Sequence, residues 1–90
     1  MSGYTWFDGV SGEHRPIPGR VAKVEMPVPD EFVVHRRPDR KTGWAVTHIE
    51  TGLKAGDGRT KAEAIDTARR RIVYFGPEVF AKAVDAARLK

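Results

Sequence analysis

The chain has 90 residues, 40% of them hydrophobic and 31% charged, with no cysteine and with 16 Lys and Arg against 12 Asp and Glu. That length suits one compact core, since independent cores need upwards of ~50 residues each, and the composition excludes a fully disordered chain. The lack of cysteine excludes disulfides, thiolate metal sites and cysteine nucleophiles, while the net charge of +4 favours anionic partners.

In chain order, residues 1–19 hold four glycines, Pro16, Pro18 and one aromatic cluster, Tyr4, Trp6 and Phe7. They read as an irregular N-terminal arm ahead of a single domain at 20–90. From Arg20 to Val28, Ala22, Val24, Met26 and Val28 alternate with Val21, Lys23, Glu25 and Pro27. That is the period of a half-buried strand, and Pro27 and Pro29 place it at a sheet edge. Residues 32–37 form a second strand, stopped by Pro38-Asp39 and the polar loop through Gly43. A third strand follows, with Trp44, Val46 and His48 on one side and Ala45, Thr47 and Ile49 on the other. Glu50-Thr51-Gly52 turns the chain into a short fourth strand at 53–55.

Gly56-Asp57-Gly58 reads as a tight turn, because it lacks full P-loop or dinucleotide spacing. Thr60-Lys61-Ala62-Glu63 is a capping box, in which the Thr60 hydroxyl accepts from the Glu63 amide and the Glu63 carboxylate from the Thr60 amide. Ile65, Ala68, Ile72 and Phe75 then recur at helical spacing, with Asp66, Arg69 and Arg70 outside the stripe. Gly76-Pro77 ends this helix and starts another, striped by Phe80, Ala83, Val84 and Ala87. The expected fold is α+β: an antiparallel three- to four-stranded sheet, a helix packed on one face and a second, C-terminal helix.

Catalytic and metal readings rest on His14, His35 and His48. Pairing of the two middle strands would let His35 and His48 share a sheet face, but a third metal ligand and a paired catalytic base are missing from the pattern. No catalytic residue, metal or cofactor is therefore expected. Arg69, Arg70 and Arg71 diverge by about 100° per residue on a helix, and Asp66 is placed to pair with Arg70. Trp44 is expected in the core, opposite Phe32 or Val34, with base stacking as the alternative.

Gly56, Gly58, Thr60 and Lys61, followed by Ala64 and Ala68, resemble the junction of the third strand and helix in double-stranded RNA-binding domains. The resemblance implies that Lys61, with Arg59 beside it, holds phosphates. Gly58, Thr60, Glu63 and Ala64 also resemble the corresponding junction of HicB-type antitoxins. The stretch from Trp44 to Ala68 is similar to short bacteriophage proteins, which implies an inhibitor of host defence of the anti-CRISPR type.

The leading expectation is a small non-enzymatic binding module that engages structured RNA or a nucleoprotein complex through Arg36, Arg37, Arg40, Lys41, Arg59 and Lys61. A phage-encoded inhibitor docking on a host protein complex, and a HicB-like antitoxin module, are the alternatives. The N-terminus lacks the basic-then-apolar pattern of a signal peptide, and no stretch approaches ~18 apolar residues. A cytoplasmic protein without a membrane partner is expected.

Overall fold

A computed structural model of the chain describes residues 3–88; the side chains of Pro77, Ala87 and Arg88 lie outside that description, and with them Ala87's place in the C-terminal stripe. Two strands, β1 (Thr5–Asp8) and β2 (Glu13–Pro16), form an N-terminal hairpin. Strands β3 (Val21–Val24), β4 (Phe32–Arg36), β5 (Trp44–His48) and β6 (Lys54–Gly58) form an antiparallel sheet in that order. The helical run α1 (Lys61–Arg88) follows and is broken at Gly76. The fold is α+β, with β3 at a sheet edge.

The central strands follow from their side chains. Phe32, Val33, Val34 and His35 of β4 are all buried, as are Ala45, Val46, Thr47 and His48 of β5, so the sheet is covered on both faces. On one face Phe32, Val34 and Val46 pack against Ala64, Ala68 and Ile72 of α1. Burial of each large apolar side chain there contributes about 1.5–3 kcal/mol. Phe75, expected on that stripe, is instead 58% exposed, while Ala64 is fully buried.

The opposite face corrects the expectation of an irregular arm. Trp6 and Phe7 of β1 line a cavity together with His35, Ala45 and Thr47 of the sheet, so the hairpin lies over this second face. The Phe7 amide donates to the Gly52 carbonyl at 2.8 Å, the Ile17 amide donates to the Tyr4 carbonyl at 2.9 Å, and Ile17 is completely buried. The aromatic cluster is thus the covering layer for polar residues that a bare sheet would expose.

Gly56 and Gly58 are strand residues, not a tight turn. An ideal Cβ on Gly56 would sit 2.5 Å from the Ala68 amide nitrogen, and one on Gly58 2.7 Å from that of Ala64. The glycines let α1 cross β6 backbone to backbone, with alanines as its facing residues. Strand β6 therefore runs three residues beyond the expected 53–55 and carries a bulge where Val46 pairs Gly56 and Thr47 pairs Lys54.

At the start of α1 the Thr60 hydroxyl accepts from the Glu63 amide at 3.1 Å. The reciprocal bond from Glu63 is not among the contacts of the described residues, so half of the capping box is formed. The break has a backbone cause: Gly76 adopts φ 84° and ψ 156°, a left-handed conformation compatible with a following proline that disfavours helix at the residue before it. Among the described residues no helix is long and apolar enough to cross a membrane.

Candidate nucleic-acid interface

Strand register decides which side chains meet at the sheet's ends. Arg36 closes β4 opposite Trp44, which opens β5 and in turn pairs with Gly58 at the end of β6. The β4–β5 loop, carrying Arg37, Arg40 and Lys41, and the β6–α1 junction, with Arg59 in the link and Lys61 as the first residue of α1, therefore emerge at this same end. All six cationic candidates converge there.

Trp44 is the centre of the group. Its strand neighbour is Arg36, not the expected Phe32 or Val34, and it packs at the margin of the core as a half-buried ring. The Arg36 guanidinium lies 5.0 Å and the Lys61 ammonium 5.2 Å from the ring centroid, distances at which the indole quadrupole attracts a cation. Both cations are exposed and make no ion pair with a carboxylate among the described residues.

Arg37 differs from the other five. Its side chain is only 14% exposed and forms ion pairs with Asp39 at 2.9 Å and Asp57 at 3.2 Å. The hydrogen bond to Asp39 raises the Arg37 pKa and lowers that of Asp39, while Lys54 and then Arg37 keep Asp57 below the usual carboxylate value. The Arg37 charge is thus spent inside the protein, where it ties the β4–β5 loop to β6; it does not face outward as the sequence pattern implied. Arg40, Lys41 and Arg59 are exposed and make no ion pair among the described residues. A cleft lined by Arg37, Arg40, Thr42, Gly43, Arg59 and Glu63 separates the two loops. Two carboxylates also line it, Glu63 and Asp57, the latter already paired with Arg37 and Lys54.

The histidines form two separate structural networks. Register places His35 opposite Ala45, and His48 opposite Phe32, so the two lie on opposite faces, and the shared face that strand pairing alone left open is excluded. His35 Nδ1 donates to the Arg36 carbonyl at 2.8 Å, which leaves Nε2 to accept from the Thr47 hydroxyl at 2.7 Å. Burial pushes the His35 pKa down, against smaller upward effects of the Arg36 carbonyl and Asp39. The neutral ring is therefore a fixed part of the layer beneath the hairpin.

His48 lies 2.8 Å from Asp30 through Nε2 and 2.7 Å from the Thr51 hydroxyl through Nδ1. The Thr51 amide also donates to Nδ1 at 3.2 Å, which assigns the proton to Nε2 and directs it to Asp30. Carboxylate, imidazole and hydroxyl stand in the order of a nucleophilic triad. The hydroxyl, however, also accepts from the Leu53 amide, and the Gly52 amide donates back to the His48 carbonyl. Thr51 and His48 are thereby built into the β5–β6 turn, with Asp30 joined to them through His48 Nε2. This network escaped the sequence reading because Asp30 lies in a loop 18 residues away; the one local signal was a threonine three residues after a histidine at a turn.

Asp66 and Arg70 pair at 3.0 Å as their spacing implied. No group of three or more His, Cys, Asp or Glu side chains among the described residues is arranged to hold a metal ion. No family model, no curated protein and no solved structure matches this chain.

Proposed function

We propose that the protein is a non-enzymatic binding module that holds the phosphate backbone of structured RNA, free or within a nucleoprotein complex, at the end of the sheet around Trp44. One observation carries this reading: Arg36, Arg40, Lys41, Arg59 and Lys61, drawn from two stretches of the chain, 36–41 and 59–61, come together there exposed, with Arg36 and Lys61 both set over one indole ring. Loops of two strand ends and a helix start give a broad cationic surface, suited to several phosphates at once. A cytoplasmic site of action belongs to the same reading.

Affinity for a hairpin RNA, measured by fluorescence anisotropy across a salt series, tests it. The expected result is a log–log slope of about −3 to −5, as five cations displace counterions at ~0.7–0.9 each. Lys61→Glu is expected to weaken binding roughly ten-fold at low salt and to reduce the slope by about one. Affinity indifferent to salt rejects the reading. A second reading, an inhibitor that docks on a host protein complex, is favoured by one separate feature, the exposed apolar side chains around the break in α1.

A further inference from the structure

Where β5 ends and β6 begins, at the opposite end of the sheet from Trp44, the surface chemistry reverses. Val73, Tyr74, Phe75 and Val79 are 65%, 84%, 58% and 51% exposed, four large apolar side chains within one short stretch of α1. Single exposed apolar residues are ordinary, but exposed apolar side chains that border a common depression, as Phe75 and Val79 do, mark a place where something binds. At about 100° per residue, Val73, Tyr74 and Phe75 point in three directions, so just before Gly76 the helix is apolar on more than its core face.

Two of these residues wall a trough. Phe75 and Val79 stand over Leu53, Ala55, Ile72 and Phe80 around a cavity of about 210 Å³. Past Thr51, Leu53 and Ala83, shared by both parts, it continues into a second depression walled by Phe7 and Ala86. Beyond the break at Gly76, the run from Val79 to Ala86 is on the order of 10 Å at ~1.5 Å per residue, room for about two turns of a helix laid alongside.

Charge identifies the occupant. Lys54 and Arg71 border the Phe75 end, and no carboxylate lines either part of the trough among the described residues. The Lys54 ammonium is shared with Asp57 at 2.8 Å; Arg71 acts on Asp57 only through its field and makes no ion pair among the described residues. A second copy of the chain would bring a like-charged rim against this one on a molecule of net charge +4.

We infer that the trough docks an acidic amphipathic segment of a partner protein, its apolar stripe lying along Val79 and Ala83 and its carboxylates meeting Arg71 and Lys54. The inference does not depend on RNA binding at the other end. The helix-in-groove mode of peptide recognition uses such a combination of apolar floor and charged rim.

Two helical peptides of about 16 residues (~24 Å) test it, sharing one leucine stripe but flanked by glutamates in one and lysines in the other. Each is titrated into the ¹⁵N-labelled full chain. The glutamate peptide is expected to bind at least roughly ten-fold tighter, shifting the amides of Leu53, Val79 and Ala83 and leaving Trp44 in place. Arg71→Glu is expected to reverse the order of the two peptides. Val79→Glu, at a half-exposed position, is expected to abolish binding while the rest of the spectrum is retained. Equal response to both peptides, no response to either, or shifts elsewhere overturns the inference; so does a dimer in sedimentation that Val79→Glu dissolves, because the occupant is then a second copy.

Discussion

The two ends of one small sheet carry opposite chemistry. Around Trp44, cations are exposed and the single arginine that turns inward, Arg37, is neutralised by two carboxylates. At the β5–β6 turn the polar groups are the ones consumed, in the Asp30–His48–Thr51 network, and apolar side chains face outward. The difference teaches that exposure, not residue type, sorts function here: three arginine neighbours of similar sequence character, Arg36, Arg37 and Arg40, have different fates because only Arg37 lies within reach of Asp39 and Asp57.

The largest expected effect removes what both ends share. Gly56→Val places side-chain atoms where the Ala68 backbone already lies within 2.5 Å of an ideal Cβ, so α1 must lift from β6. A loss of ~3 kcal/mol or more in urea unfolding is expected, with RNA affinity and peptide affinity falling together. Should the variant retain full stability, the close glycine crossing is not what seats the helix.

Next in size, Thr51→Val separates the ends. It deprives His48 Nδ1 and the Leu53 amide of the hydroxyl, with an expected cost of about 2 kcal/mol in the same experiment, while hairpin-RNA affinity at a temperature where the fold persists stays within a factor of about two of the unsubstituted protein. A smaller change, Arg37→Gln, sharpens the contrast within the basic end. It leaves Asp39 without its partner and is expected to lower stability by about 1–2 kcal/mol, yet to reduce RNA affinity less than Lys61→Glu does. The opposite ranking would show that Arg37 contacts the ligand.

The smallest effect is in pH. The folded-state pKa of His35 is lowered below the ordinary 6.5 by burial, so the unfolded chain binds a proton that the native ring refuses. Stability is then complete above pH ~6.5 and declines as pH falls below that value toward the depressed native pKa. Urea midpoints between pH 8 and pH 5 check the direction, and His35→Gln is expected to flatten that part of the profile. Asp39 and Asp57, lowered from 3.8 by their hydrogen bonds to Arg37 and Lys54, add a further loss only below about pH 4.

The main sheet was legible because alternation and proline punctuation are local signals: Phe32 to Arg36 and Trp44 to His48 fall within the expected strands, and Thr60 caps the helix as its spacing implied. The hairpin over the second face was not, since four glycines and two prolines in residues 1–19 weaken every local strand signal, and the stabilising contacts, such as Phe7 to Gly52, are long-range. Gly56 and Gly58 have the sequence pattern of a turn because glycine has the same local appearance in a tight turn and beneath a crossing helix; Ala64 and Ala68, spaced to face them, are the available clue. For the basic end, the cation positions were readable from sequence. The inward fate of Arg37, and the pairing of Trp44 with Arg36, needed the register.

A single titration of ¹⁵N-labelled protein with hairpin RNA addresses the division between the two ends most directly. Amide shifts are expected at Arg36, Arg40, Lys41, Trp44, Arg59 and Lys61, with Leu53, Val79 and Ala83 unmoved. Shifts confined to the β5–β6 turn and the second part of α1, with the residues around Trp44 silent, would contradict it.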